Sequence, residues 1–241
     1  MTGVTTWIDR SWYPRHGSNW DDWLFRERVL AHLRPDMTIL DLGAGAGTLP
    51  QMNFRGLARR VCGVDIDARI KQNHMLDDAL IADGKHVPYD SDQFDVVCSN
   101  NVLEHLSDPL IVFREVKRVL KTDGVFLFKT PNRRHYVPVI SMITPHRFHQ
   151  YVNVIRGRAA VDTFPTFYRA NTGATIRRLA RQSGMSVERL EFIEGRPEYL
   201  RIAWPAYLLG AAYERLVNFT DAFSGFRVLL LGKLRKQAIF N

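Results

Sequence analysis

The chain has 241 residues, of which 46% are hydrophobic, and it carries a formal net charge of +8. This length suffices for one domain with a sizeable core, and the sequence contains no internal repeat and no low-complexity tract. The first ten residues contain no apolar run, so no signal peptide is expected. The longest weakly polar stretch, residues 202–213, is shorter than the roughly 20 residues that a membrane-spanning helix needs.

The positive charge is concentrated in the second half of the chain. Residues 1–132 contain 16 Lys/Arg and 18 Asp/Glu, a net charge of −2, whereas residues 133–241 contain 17 and 7, a net charge of +10. Such asymmetry indicates an anionic partner: nucleic acid, a membrane surface or a phosphorylated substrate. A basic surface that only faces solvent is the alternative.

The two cysteines, Cys62 and Cys98, both lie within apolar runs that resemble strands. We therefore expect buried thiols, and the spacing does not predict a zinc site. This cysteine usage fits a reducing, cytoplasmic compartment.

Apolar runs alternate with amphipathic segments along the first half of the chain. Residues 19–33 have the pattern of a helix. Five strands are predicted after it, at residues 38–42, 60–66, 80–83, 94–99 and 124–129. Between the last two, residues 110–120 carry an apolar stripe at helical spacing. This alternation predicts an α/β fold with a doubly wound, mostly parallel sheet, which binds ligands at the carboxyl ends of its strands.

The pattern changes after the fifth predicted strand. Residues 131–169 are rich in Pro, His, Arg and aromatic residues and lack long periodicity, which indicates an insertion or lid. A helix is predicted at 171–183 and a further strand at 186–192. The predicted organisation is a helical cover at residues 1–35, a binding core at 36–132 and an insertion or lid at 133–170. Residues 171–241 are predicted to complete the sheet and to carry a basic amphipathic segment.

The strongest local signal is the glycine-rich turn Asp41-Leu42-Gly43-Ala44-Gly45-Ala46-Gly47, which follows the first predicted strand and is expected to open a helix. Glycines there let the backbone turn sharply and approach a ligand closely. A dinucleotide-binding turn would have Gly where Thr48 stands, and the Lys-Ser/Thr pair of a phosphate-binding loop is absent. The carboxylate of Asp41 would repel a pyrophosphate but attract an ammonium or a sulfonium.

Asp65 ends the second predicted strand, 18 residues after Gly47. A carboxylate at this position can accept the hydrogen bonds of both ribose hydroxyls. A helix cap is the alternative role, and Asp67 suits that role better.

Polar residues also follow the third and fourth predicted strands. Asp83 can accept a hydrogen bond from an adenine amino group while the amide of Gly84 donates to the ring, although Asp-Gly is also an ordinary turn. Ser99-Asn100-Asn101 ends the fourth strand and faces the reaction site in this architecture.

Six segments of residues 36–130 occur in an informative order and spacing. They are the glycine-rich turn, Gly63-Val64-Asp65, Asp83-Gly84, Phe94-Asp95-Val96-Val97, Val102-Leu103-Glu104-His105-Leu106-Ser107-Asp108-Pro109 and Arg118-Val119-Leu120-Lys121-Thr122-Asp123-Gly124. Together they resemble class I S-adenosylmethionine-dependent methyltransferases of the ubiquinone-biosynthesis-like (type 11) group. Asp123 stands where that family often has Pro, which affects only a turn.

The resemblance implies a Rossmann-like fold and S-adenosylmethionine as the cofactor, with its methionine part near the glycine-rich turn. The ribose contact of the family matches Asp65, and its adenine contact matches Asp83. The cofactor-binding residues expected in this chain are Asp41, Gly43, Ala44, Gly45, Gly47, Asp65, Ile66, Asp83, Gly84 and Asn100.

Methyl transfer is an in-line displacement, so the enzyme mainly aligns the reactants, and a protonated acceptor also needs a base. His105 is the predicted base, because it follows the fourth strand and histidine titrates near neutrality. Related enzymes have Glu-His here, so Glu104 is expected to orient it, whereas a structural histidine is the alternative. Weaker candidates in the predicted lid are His135, Tyr136, His146 and His149. The last two have the spacing of a metal pair, but no third ligand is evident, so no metal is expected.

Two sets of aromatic residues allow more than one interpretation. The N-terminal set either covers the cofactor or forms core and interface contacts, and it comprises Trp7, Trp12, Tyr13 and Trp20. Residues 199–209 and 226–234 are apolar with interspersed Arg and Lys. Such segments can lie on an anionic membrane surface, pack on the sheet or form a homodimer.

Three functions follow from these observations. The first is methyl transfer to an oxygen, less favourably a nitrogen, of a small-molecule, glycan or lipid-linked metabolite. The alternative is a nucleic-acid methyltransferase that uses the basic C-terminal half. It is less favoured, because no RNA-binding module is recognisable and Ser-Asn-Asn-Val lacks the Asn/Asp-Pro-Pro-aromatic pattern of enzymes that methylate base amino groups. The third, a non-catalytic scaffold, conflicts with the intact glycine and acidic residues.

Overall fold

A computed structural model describes residues 3–143 and 164–237. Its helices are α1 (Gly3–Trp12), α2 (Trp20–Leu30), α3 (Pro109–Val119), α4 (Tyr136–Ile143), α5 (Gly173–Ser183) and α6 (Trp204–Phe219). Its strands are β1 (Thr38–Leu42), β2 (Arg60–Asp65), β3 (Asp78–Ile81), β4 (Phe94–Asn100), β5 (Leu120–Pro131), β6 (Met185–Ile193) and β7 (Leu229–Lys236). Short 3₁₀ helices lie at Pro50–Met52, Ala68–Gln72, Leu103–His105, Glu198–Leu200 and Asp221–Phe226.

The strands form one sheet in the order β3-β2-β1-β4-β5-β7-β6. β1 to β5 pair in parallel, whereas β7 is antiparallel to both β5 and β6. The prediction of a doubly wound, mostly parallel sheet is therefore confirmed. Because β1 to β5 run the same way, their carboxyl ends lie at one edge of the sheet, and the strand order reverses between β1 and β4.

Both faces of the sheet are covered, which explains the continuous apolar runs in the strands. Leu40 and Leu42 point to a face that α3 and α5 cover, and Ile39 points to the face that α2 covers. Helix α5 is capped at both ends. In α5 the side chain of Thr172 accepts the Thr175 N–H, and Gly184 follows in the left-handed conformation.

The segment after the glycine-rich turn differs from the prediction. The turn was expected to open a helix, and this expectation is wrong, because only the 3₁₀ helix Pro50–Met52 forms there. Pro50 lacks a backbone N–H, and Asn53 and Gly56 have low helix propensity, so an α-helix cannot propagate through this short connection. The predicted third strand is also displaced, since pairing with β2 places β3 at Asp78–Ile81.

The C-terminal half completes the sheet. Most of the apolar segment 226–234 belongs to β7, which lies between β5 and β6, so sheet packing is the interpretation that applies to it. Residues 144–163, the larger part of the predicted insertion, lie outside the described residues, and His146 and His149 lie there too. Within residues 3–143 and 164–237, no helix is long and apolar enough to cross a membrane.

Candidate functional site

A cleft opens at the carboxyl edge of the sheet, where the strand order reverses between β1 and β4. Six of the ten predicted cofactor-binding residues line it: Asp41, Gly43, Ala44, Gly45, Gly47 and Asn100. The other lining residues are Ala46, Thr48, Leu49, Met52, Asn73, Met75 and Leu76. The structure thus brings the residues of the first turn and the end of β4 together around one space.

The shape of the glycine-rich turn requires glycine. Gly43 and Gly47 have φ angles of +82° and +72°, in the left-handed region that other residues rarely adopt. A Cβ atom on Gly43 would collide with the side chain of Val102, and one on Gly47 would collide with Asn73. The turn therefore packs closely under the segment that follows β4 and leaves its backbone open to the cleft.

Two side chains from the region of β2 hold the turn in place. The Asn73 Nδ2 donates to the carbonyl oxygens of Ala44 and Gly45, at 3.1 and 3.2 Å. Asp65 accepts the Gly45 N–H with Oδ2 at 2.8 Å and the Asp67 N–H with Oδ1 at 2.8 Å. Sequence reasoning missed Asn73, because it lies in an irregular segment and belongs to no motif.

Asp41 and Asn100 belong to the cleft lining, and each carries a buried acceptor oxygen. Among the described residues, neither Asp41 Oδ1 nor Asn100 Oδ1 has a hydrogen-bond partner, although both atoms are buried. Burial, together with the nearby charge of Asp65, raises the pKa of Asp41 to about 7. A buried carboxylate and a buried amide oxygen without donors suit a cationic group that carries several N–H bonds. The α-ammonium of S-adenosylmethionine, the cofactor implied by the sequence resemblance, fits them.

An ion triad centred on a buried lysine joins α2 to this edge of the sheet. Lys129, near the end of β5, is fully buried, and its Nζ lies 2.5 Å from Asp21 Oδ2 and 2.6 Å from Asp22 Oδ1. The Asn100 Nδ2 donates to the same Asp22 Oδ1 at 2.8 Å. Because its nitrogen is held by Asp22, the Asn100 amide turns its oxygen away from the triad. The N-terminal cover thereby orients a residue that lines the cleft.

The remaining predicted cofactor residues lie at the same edge but outside the cleft lining. Ile81, the last residue of β3, pairs with Asp65, so Asp83 and Gly84 follow β3 at that edge. The Asp83 side chain is exposed and accepts the Lys85 N–H at 3.0 Å, as in a local turn. Ile66 is 62% exposed, which leaves an apolar side chain in solvent beside Asp65. The roles of these four residues stay predictions.

His105 lies at the end of the 3₁₀ helix Leu103–His105 and is not among the described residues that line the cleft. Its Nδ1 is 2.8 Å from the carbonyl oxygen of Pro165, which can only accept, so Nδ1 carries a proton. In the neutral ring Nε2 then keeps its lone pair, as a base requires. The Glu104 Oε1 lies 3.9 Å from Nε2, and burial raises the pKa of this carboxyl group.

His135 and Tyr136, the described alternatives for the base, belong to a buried cluster. His135 Nδ1 accepts the Val137 N–H at 3.3 Å, and its Nε2 faces Glu194 Oε2 at 3.4 Å. Burial lowers the pKa of His135 to about 3 and raises that of Glu194 to about 8. Both groups are therefore neutral near pH 7, which suits packing. No group of three His, Cys, Asp or Glu that could hold a metal occurs in the described ranges.

The N-terminal aromatic residues pack against one another and against neighbouring elements. Tyr13 packs in a small apolar cluster with Tyr207 of α6, and Trp20 contacts His16 with ring centroids 4.9 Å apart. Trp7 and Trp12 are exposed. None of the four is among the described residues that line the cleft, so core and surface packing applies to them.

Comparisons with known proteins agree with this site. The sequence model of a family described as a methyltransferase domain matches residues 18–190, more than half of the chain. A "Probable S-adenosylmethionine-dependent methyltransferase" of Mycolicibacterium smegmatis is 33% identical over 124 residues, 48% of each chain. A ubiquinone biosynthesis O-methyltransferase of Actinobacillus pleuropneumoniae is 31% identical over 108 residues, 39% of this chain and 46% of that protein. This chain spans about half the length of the curated relatives it matches.

The fold also resembles that of a solved protein. An S-adenosylmethionine-dependent methyltransferase from Mesorhizobium loti superposes with a TM-score of 0.58 at 18% identity, over 91% of this chain and 98% of that one. This likeness concerns the fold, and the family match concerns the sequence. Since the family model covers most of the chain and the glycine-rich turn lines a cleft at the carboxyl edge of the sheet, the chain belongs to the class I S-adenosylmethionine-dependent methyltransferases.

Proposed function

We propose that this protein transfers the methyl group of S-adenosylmethionine to an oxygen atom of a small-molecule, glycan or lipid-linked metabolite. The observation that carries the proposal is the pair of unsatisfied acceptors, Asp41 Oδ1 and Asn100 Oδ1, beside a turn that only glycines can form. The cofactor supplies a methyl carbon already activated by its sulfonium. The residues of this chain therefore need to bind, orient and exclude water rather than generate an electrophile.

The binding roles divide along the edge of the sheet. Asp41 and Asn100 would accept hydrogen bonds from the α-ammonium, and Asp65 would accept them from the ribose hydroxyls. Asp83 would receive the adenine amino group, with Ile66 offering an apolar surface next to it. Each carboxylate oxygen of Asp65 accepts one backbone N–H and retains a second lone pair for a ribose hydroxyl.

An oxygen acceptor is favoured by the candidate base and by a relative. Hydroxyl acceptors lose a proton during transfer, and the proposed recipient is Nε2 of His105. The Actinobacillus pleuropneumoniae relative is named as an O-methyltransferase. The nucleic-acid alternative gains no such support, because no Lys or Arg is among the described residues that line the cleft.

Calorimetric titration with S-adenosylhomocysteine, with NADH as the control, tests the cofactor class. The expected result is micromolar binding of S-adenosylhomocysteine alone. Binding of NADH, or of neither compound, would contradict the proposal. A screen of hydroxyl-bearing glycans and lipid-linked compounds for methyl uptake then tests the acceptor.

Binding of S-adenosylhomocysteine is expected to weaken as the pH falls below the raised pKa of Asp41. The group is about half protonated at pH 7 in the free protein, and a cationic ligand favours its ionised form. Binding therefore releases a proton, and affinity should drop about tenfold between pH 8 and pH 6. Calorimetry in buffers of different ionisation enthalpy measures both the affinity and the proton release.

Asp41→Asn serves as the control, because it removes the titrating group with little change of shape. This variant should bind more weakly and lose the pH dependence assigned to Asp41. In the free protein the raised folded-state pKa means that ionised Asp41 destabilises the fold above pH 7, so Asp41→Asn should raise the melting temperature at pH 8. A wild-type affinity that stays constant from pH 6 to pH 8 would rule out the ammonium contact.

Replacement of His105 by Ala should lower kcat by about 100-fold or more while leaving S-adenosylhomocysteine affinity nearly unchanged. The reason is that a base acts on the acceptor and not on the cofactor. His105→Gln, which can keep the hydrogen bond to the Pro165 carbonyl, separates proton transfer from positioning. Full activity in both variants would remove His105 from the mechanism.

A further inference from the structure

The outward face of α6 carries a stripe of apolar side chains that is interrupted by exposed Arg215. Trp204, Leu208, Ala212, Leu216 and Phe219 follow one another at helical spacing, and all are exposed. Leu209, next to this stripe, is 72% exposed and Phe219 is 85% exposed. The inward face is apolar as well, with Tyr207, Ala211 and Val217 buried. An ordinary surface helix is polar on the side that faces water, whereas this face of α6 has no partner within residues 3–143 and 164–237.

Neighbouring elements extend this surface. Trp7 and Trp12 of α1 contact each other with ring centroids 6.4 Å apart, and the Arg215 guanidinium of α6 lies 4.5 Å from the centre of the Trp12 ring. On the other side, the 3₁₀ helix Asp221–Phe226 contributes exposed Phe223 and Phe226. The Tyr213 hydroxyl donates to the Phe226 carbonyl oxygen at 2.7 Å and ties this helix to α6. We name these exposed side chains of α1, α6 and Asp221–Phe226 the apolar cap.

The apolar cap lies at the edge of the sheet that carries the cofactor cleft. Pro131, the last residue of β5, pairs with Leu229, the first residue of β7. The chain therefore enters β7 from the carboxyl edge of β5. The Asn132 Nδ2 strengthens this connection, because it donates to the carbonyl oxygens of Gly225 and Arg227, both at 2.8 Å.

Basic side chains accompany the cap. Arg10 and Arg15 are exposed on α1 and just after it, and Arg133 and Arg134 are exposed after β5. Arg134 reaches the 3₁₀ helix of the cap, since its Nη1 would lie 3.9 Å from a Cβ on Gly225. Exposed Asp221 is paired with Arg227 at 3.1 Å. The surroundings of the cap are thus cationic.

We propose that the apolar cap docks this protein on an anionic phospholipid surface. Exposed Trp and Phe suit the boundary between headgroups and acyl chains, and the surrounding Arg side chains complement anionic headgroups. A twofold contact between two copies would instead bring the same cationic rims together. The docked orientation places the cleft edge at the bilayer, so a lipid-linked acceptor reaches the cleft from the membrane. That last step rests on the proposed methyltransferase function, whereas the docking does not.

Vesicle flotation of the full chain tests the docking. Wild type should bind vesicles that contain phosphatidylglycerol at least about tenfold better than vesicles of phosphatidylcholine alone, and added salt should weaken the binding. Leu209→Glu combined with Phe219→Glu should weaken vesicle binding at least about tenfold. Ile111→Glu is the matched control, because Ile111 is an exposed apolar residue on α3, away from the cap, and should bind as wild type.

Other outcomes would overturn the docking. The first is that wild type shows no preference for anionic vesicles. The second is that wild type binds no vesicles but forms a stable dimer in sedimentation equilibrium, and that the Leu209→Glu/Phe219→Glu variant is a monomer. The same samples are titrated with S-adenosylhomocysteine. Lost vesicle binding with intact titration in the variant supports the docking, because the variant is then folded. If wild type binds vesicles but does not bind S-adenosylhomocysteine, the proposed function is overturned and the docking is not.

Discussion

Replacement of Lys129 by Met is expected to lower the free energy of unfolding by about 3 to 5 kcal/mol, the cost of leaving a buried charge without its partner. Lys129 is fully buried, with its Nζ 2.6 Å from Asp22, whose side chain is only 10% exposed. Met fills the volume of Lys but cannot neutralise the carboxylate. Urea unfolding followed by circular dichroism gives the free energy.

Two further variants make this prediction specific. Lys121→Met removes another β5 lysine, whose Nζ lies 2.8 Å from Asp95 but whose side chain is 37% exposed. It should cost at most about 1 kcal/mol, as solvent-screened ion pairs do. Adding Asp22→Asn to Lys129→Met should recover more than half of the lost unfolding free energy, because the unpaired carboxylate of Asp22 is then removed. If Lys129→Met and Lys121→Met lowered the free energy of unfolding equally, the triad would stabilise the fold no more than a surface ion pair does.

Asp65→Ala is expected to weaken S-adenosylhomocysteine binding by about 2 kcal/mol or more, roughly 30-fold. The variant loses the proposed charge-assisted bonds to the ribose and also the anchor of the glycine-rich turn, since Asp65 Oδ2 accepts the Gly45 N–H at 2.8 Å. Calorimetric titration measures the affinity, and titration with adenosine isolates the ribose contact from the methionine part.

Asp67→Ala is the matched control for Asp65→Ala. Asp67 lies two residues further on and caps the 3₁₀ helix Ala68–Gln72 by accepting the Arg69 N–H at 2.9 Å. It does not touch the turn, so its removal should change the affinity by less than about threefold. If Asp65→Ala bound as tightly as wild type, the assignment of Asp65 to the ribose would be wrong.

Features set by nearby residues could be predicted from the sequence. β1 is at Thr38–Leu42 as expected, because a continuous apolar run marks a strand covered on both faces. The left-handed turn at Gly43, Gly45 and Gly47 follows from the lack of a Cβ atom. Asp41 and Asn100 could be assigned to the ligand edge because parallel strands end together. The helix expected after the turn does not form, because Pro50 lacks a backbone N–H and Gly56 has low helix propensity.

Features that join distant parts of the chain were decided only by the tertiary structure. Lys129 meets Asp22 across 107 positions, and Asn73 holds a turn 28 and 29 residues away. The apolar segment 199–209 had three interpretations from the sequence, and only tertiary packing divided it into buried Tyr207 and exposed Leu209. The sequence by itself determined the sheet, the glycine-rich turn and the acidic residues at its edge, because steric preferences and hydrophobic periodicity act over a few residues. Tertiary structure decided the ion triad and the apolar cap, since ion pairing and burial depend on which elements the fold brings together.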